Sequence, residues 1–205
     1  GVDTEEIVRH GKQTVKEVIA AAKTADSNIL IIGRRPQRGD LRERLVGDVA
    51  AQIIAHAPCH VLIAGWRSRM WQGRILVASD GSTDDDRVAE IASQIAKATR
   101  TPLTLVAPII GGMDRERLTE ELALKTAQLR SEGVQCDSRV VGGAPERSIP
   151  AAAKDLGADL VVIGYQQSLG RGAAARIIGS LDCAVLVVKH ATEPERMATA
   201  VKNQA

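Results

Sequence analysis

Short runs of branched aliphatic residues alternate along this chain with longer stretches in which apolar positions recur every three or four residues. These are the periods of buried strands and amphipathic helices. From Arg74 onward the order is regular. Strands are predicted at 75–79 (ILVAS), 103–109 (LTLVAPI), 136–141 (CDSRVV), 159–164 (DLVVIG) and 184–189 (AVLVVK), separated by helices over 84–98, 115–131, 145–156 and 173–181. Alternation of this kind implies right-handed crossovers and a parallel sheet covered on both faces. The expectation is an α/β fold, a doubly wound parallel five-stranded sheet over residues 74–190, with a polar, loosely held tail at 191–205.

The first third of the chain repeats part of that pattern. Residues 11–33 (GKQTVKEVIAAAKTADSNILIIG) lie over residues 142–164 (GGAPERSIPAAAKDLGADLVVIG) at a shift of 131, from 164 − 33. Residues 50–63 (AAQIIAHAPCHVLI) lie over 174–187 (AARIIGSLDCAVLV) at a shift of 124, from 174 − 50, so that Cys59 falls on Cys183. The intervening loop is therefore seven residues shorter in the second copy, 131 − 124. Residues 1–65 read as a partial copy holding only the last three strands of the unit, at Glu5–His10, Asn28–Ile32 and His60–Ala64, with a linker at 66–73 before the complete unit. The first strand of a doubly wound sheet is central. A copy without its first two strands is expected to leave two sheet fragments with open edges. The segment accordingly reads as the amino-terminally truncated piece of a two-domain protein, or as one whose missing strands come from another segment. A single continuous sheet through the whole chain would speak against that reading.

Composition removes several classes of function. With 205 residues, 44% of them hydrophobic, the chain can bury a full core. A formal charge of +2 offers no concentrated basic face for a nucleic-acid partner. There is no Phe, and Tyr165, Trp66 and Trp71 are the only aromatics, so no series of rings exists for bases to stack on. Cys59, Cys136 and Cys183 lack CxxC spacing, which argues against a disulfide framework or a zinc site and for the cytoplasm. No apolar run is long enough to span a membrane, and the amino end has no apolar signal region. Neither a nucleophile elbow, a complete P-loop, a His–carboxylate constellation nor metal-ligand spacing is present, so the chain does not read as an enzyme and no catalytic residue is assigned.

The segments ILVASDGS (75–82), ADLVVIG (158–164) and HAPCHVLIA (56–64), with the Ala-rich third helix of the unit, resemble the universal stress protein family in its tandem form. The resemblance implies an adenine nucleotide alpha hydrolase-like fold and a stress-response role in which ATP or ADP is bound in a regulatory, non-catalytic way. It also implies contact through the last strands, so that 60–64 and 184–189 would pair as an intramolecular pseudo-dimer, with a homodimer through last strands as a further possibility. Nucleotide-binding members carry G-x2-G-x9-G-[ST] after the fourth strand, where backbone amides and a helix amino terminus cradle phosphate. In the first unit, Gly33 and Gly47 are kept, Pro36 and Asp48 replace the second glycine and the hydroxyl residue, and the spacing is one longer. Proline removes an amide donor, and a carboxylate competes with phosphate for the helix end. In the second unit, GYQQSLGRGAA (164–174) is too short for the motif, and Gly179-Ser180 falls inside a helix.

The residues assigned to nucleotide are Asp80, Gly164, Gly170 and Gly172. Asp80 lies just past the first strand, where family members use an Asp to contact adenosine. Equally, it forms with Ser82 and Thr83 the turn and cap of the next helix. Gly164 allows close backbone approach, and Gly170 and Gly172 offer amides toward phosphate. Asp84, Asp85 and Asp86 read as first-turn complements of a helix dipole rather than a metal cluster. Arg34, Arg35, Arg38, Arg42 and Arg44, interspersed with Asp40 and Glu43, read as a solvated surface. Trp66 and Trp71 read as linker aromatics tucked against the domains, Cys59 and Cys183 as buried fillers, and His56 and His60 as partners in local hydrogen bonds. The competing function is an interaction module that has lost nucleotide binding.

Overall fold

The computed structural model describes residues 3–11, 13–34, 48–65, 68, 73–79, 85–109, 111–112, 114–165 and 170–189. Its elements, in chain order, are α1 (Thr14–Thr24), β1 (Ile29–Arg34), α2 (Asp48–His56), β2 (His60–Gly65), β3 (Ile75–Ala78), α3 (Asp85–Thr99), β4 (Leu103–Pro108), α4 (Arg115–Ser131), β5 (Cys136–Val141), α5 (Pro145–Asp155), β6 (Leu160–Tyr165), α6 (Gly170–Ser180) and β7 (Ala184–Lys189). Local sequence explains the boundaries. Asp114 caps α4 by accepting from the Glu116 amide at 2.9 Å, and Pro145 opens α5 where no amide donor is needed. Gly157 ends α5 at φ 62°, and Asp26, its counterpart at the 131-residue shift, ends α1 at φ 45°.

The seven strands form one sheet in the order β1-β2-β7-β6-β3-β4-β5. All neighbours are parallel except β2 and β7, which run antiparallel. The sheet is therefore a five-stranded parallel block extended by a two-stranded parallel block. The sequence repeat reappears in it directly: β1 shifted by 131 coincides with β6, and β2 shifted by 124 coincides with β7. At the joint Val61 faces Val187, Leu62 faces Leu186 and Ile63 faces Val185. Exchanging each residue for its repeat partner, 124 positions away, returns the same three pairs, so the register is symmetric under the repeat.

Two expectations need correction. The sheet is continuous and not two fragments, because the antiparallel β2–β7 joint lets one block supply the missing edge of the other. Glu5–His10 is neither strand nor helix. The corresponding strand of the complete unit, β5, pairs only with β4. Among the described residues the amino-terminal block has no counterpart of β4, so nothing is there to accept this segment's backbone bonds, and Ile7 and Val8 stay exposed.

One core layer lies under α3 and α4 and includes Leu62, Ile75, Val77, Leu160, Val162 and Leu186. The opposite layer lies under α5, α6 and α2 and includes Val61, Ile63, Leu76, Ile163, Ile178 and Val187. Both layers cross the β2–β7 joint. On β1, Leu30 and Ile32 pack into the second layer, whereas Ile29 and Ile31 are 44% and 62% exposed. Their repeat partners Leu160 and Val162 are fully buried under α3, a helix with no amino-terminal counterpart among the described residues.

Candidate functional site

Strand β3 leads to β4 on one side of it, while β6, its neighbour on the other side, leads to β7 in the opposite direction. The connecting helices leave toward opposite faces: α3 packs on the layer of Ile75 and Val77, and α6 sends Ile177 and Ile178 into the other. This is a topological switch point, the place in an open α/β sheet where diverging connections leave a crevice at the carboxyl ends of the strands. Ala78 is paired with Ile163, so the next residues on each strand, Ser79 and Gly164, stand together at the crevice mouth. Ser79 is buried, and its amide donates to the Val106 carbonyl at 2.9 Å.

Of the assigned residues, Gly164 is at this crevice, half-buried in β6 and paired with Val188. Gly170 and Gly172 belong to the first turn of α6, which begins three residues earlier than expected, so they are helical and not part of a loop. First-turn amides have no intrahelical acceptor, which keeps these two available as anion donors. Asp80 lies outside the described residues, as do Trp66, Trp71, Asp84 and Arg35 to Arg44 of the first loop. Gly179 and Ser180 are inside α6, as expected. Asp86 pairs with Lys125 Nζ at 3.0 Å, and among the described residues no group of three potential metal ligands converges.

A second constellation, not assigned from sequence, sits where β7 ends against β2. The Lys189 ammonium lies 3.8 Å from the centroid of the Tyr165 ring and donates to the Ala55 carbonyl in the last turn of α2 at 3.4 Å. A cation at that end complements the helix dipole. Burial holds the Lys189 amine down at about 8, partly offset by the Cys59 thiol beside it. The Cys59 thiol is itself pushed up by burial. His60, expected to bond locally, instead accepts the Lys189 amide on Nδ1 at 3.0 Å, which leaves that nitrogen unprotonated and ties the two blocks together. His56 does bond locally, Nδ1 meeting the Gln52 carbonyl at 2.8 Å. Only the cross-strand register brings Lys189 and His60 together. The sequence signal available beforehand was the replacement of Gly65, the repeat partner of Lys189, by a charged residue.

All three cysteines are free thiols, Cys59 and Cys136 buried and Cys183 half-buried. Among the described residues no helix is long and apolar enough to cross a membrane.

A doubly wound α/β sheet with a crevice at its switch point is the architecture that this chain shares with solved universal stress proteins of the adenine nucleotide alpha hydrolase-like fold. The universal stress protein family model matches residues 1–65 and 73–189, and the chain belongs to that family. It is similar to a universal stress protein from Archaeoglobus fulgidus DSM 4304, with 21% identity and a TM-score of 0.69 over 87% of this chain and 66% of that one. A protein of unknown function from Pseudomonas aeruginosa PAO1 is similar at 19% identity and TM-score 0.69, over 87% of this chain and 69% of that one. A universal stress protein from Archaeoglobus fulgidus solved in complex with dAMP is similar at 25% identity and TM-score 0.50, over 58% of this chain and all of that one. The chain thus spans about two thirds of the length of the first two. No curated protein matches it significantly.

Proposed function

We propose that this chain is a non-catalytic, cytoplasmic stress-response protein that binds an adenine nucleotide, ATP or ADP, in the crevice between β3 and β6. The observation that carries this reading is the switch point itself, with Gly164 at its mouth and α6 starting five residues after β6 ends. Asp80 holds the ribose or base, Gly164 lets the backbone approach the nucleotide, and the amides of Gly170 and Gly172 face phosphate. The dAMP complex of the Archaeoglobus fulgidus relative supports the ligand class. Residues 1–65 act as a partial domain, 66–73 as a linker, 74–190 as the complete domain and 191–205 as a tail. The repeat-symmetric β2–β7 register supports an intramolecular pseudo-dimer.

The test is calorimetric titration with ATP and ADP. Saturable binding is expected, and Asp80→Ala is expected to weaken it about tenfold while the melting temperature holds. Absence of binding below about 1 mM, an affinity of only about 4 kcal/mol, refutes the reading. One observation favours an alternative, an interaction module without nucleotide: the bare β1 face with Ile29 and Ile31 exposed. Adenine absorbance released from the purified protein on heating separates the two.

A further inference from the structure

We propose that a second anion site, independent of the crevice, lies at the amino ends of β3, β4 and β5 and takes a compact polyphosphate of pyrophosphate size. A cavity of about 560 Å³ opens there, whose lining includes three arginines, Arg74, Arg130 and Arg139, and one acidic residue, Asp137. Arg130 is fixed in place: Nε donates to the Cys136 carbonyl at 2.6 Å and Nη2 to Asp137 Oδ1 at 2.8 Å. Arg74 approaches from the other side, with Nη1 donating to Thr104 Oγ1 at 2.9 Å and standing 3.7 Å from Asp137 Oδ2. Arg139 joins none of the ion pairs among the described residues. Three cations against one carboxylate leave two positive charges uncompensated in one concave site. Thr126, on the wall of the same cavity, turns its hydroxyl inward against the Cys136 thiol and away from the cavity space.

Pre-oriented guanidinium forks and surplus positive charge are the chemistry that recognises an anion with many oxygens. The cavity is far larger than a single phosphate, and a diphosphate carries enough negative charge to offset both surplus positive charges. Asp137 occupies the guanidiniums when the ligand is absent and competes with it.

Titration with inorganic pyrophosphate at low salt tests the site, with inorganic phosphate as the weaker comparator. Wild-type protein is expected to bind saturably. Arg139→Gln, an exposed change that leaves every ion pair named above intact, is expected to weaken binding about three- to tenfold, the loss for one partly solvated charge-assisted contact. Asp137→Asn is expected to tighten it by a similar factor. No saturable binding at millimolar pyrophosphate overturns the proposal. So does binding unchanged in both variants, which places the anion elsewhere, or tighter binding of phosphate than of pyrophosphate.

Discussion

Replacing Lys189 by Met tests whether a cation is held at the joint against its solvation. The substitution keeps an unbranched stem beside Tyr165 and removes only the charge. In the fold the amine loses its proton at about 8, against 10.5 ordinarily, a gap of 2.5 pH units (10.5 − 8). At 1.36 kcal/mol per unit the gap sets an upper limit of about 3.4 kcal/mol. The side chain is only half-buried, so solvent screening reduces this to on the order of 1–2 kcal/mol. The sign follows from proton counting. Between pH 8 and 10.5 the unfolded chain holds more protons at this position than the folded one, so wild-type stability rises with pH across that window. Below pH 8 both states are charged and the full burial cost is present. Lys189→Met is therefore expected to be as stable as wild type or more so at pH 7 and to lose that advantage by pH 10, a change of roughly 3–6 °C in the difference of melting temperatures. The buried Cys136 thiol, pushed up to about 11, is common to both proteins and cancels. Circular dichroism melts of the pair at pH 7, 8, 9 and 10 supply the comparison. A difference that stays constant with pH would show that folding leaves the Lys189 amine unshifted, and one that grows in favour of the variant that folding raises it; either outcome refutes a desolvated charge at the joint.

Two further outcomes follow from burial. Leu186, 2% exposed at the centre of the symmetric joint, is expected to cost about 2–5 kcal/mol when truncated to Ala. Denaturant unfolding should remain one cooperative transition, because both core layers cross the joint; two separated transitions would show that the blocks are stabilised independently. In a thiol-titration time course on native protein, half-buried Cys183 is expected to react well before Cys59 and Cys136, whose thiols burial pushes up; faster reaction at Cys136 would contradict its burial under α4.

The complete unit was legible because each of its elements satisfies a local rule. The bounds read from sequence match the observed α4, β5 and β7 without adjustment, and β3, β4 and β6 to within a residue. The segment Glu5–His10 fails for the reason the others succeed: it has the aliphatic composition of a strand, but a strand exists only where a neighbour takes its hydrogen bonds, and the neighbour is not a local property of the sequence. The candidate site divides in the same way. Gly164 was findable because the repeat ends on it, and α6 was placed late because a glycine-rich first turn has no helical signature of its own. Lys189, Tyr165, Cys59 and His60 converge only through an antiparallel joint between two units that are each internally parallel. The family resemblance implied which strands meet, and their register, symmetric under the repeat, then fixes which polar groups share the buried end of the joint. Because β2 replaces Lys189 with Gly65 at its own end, the symmetric joint carries its charge on one side only, and the two ends of the sheet contact are chemically distinct.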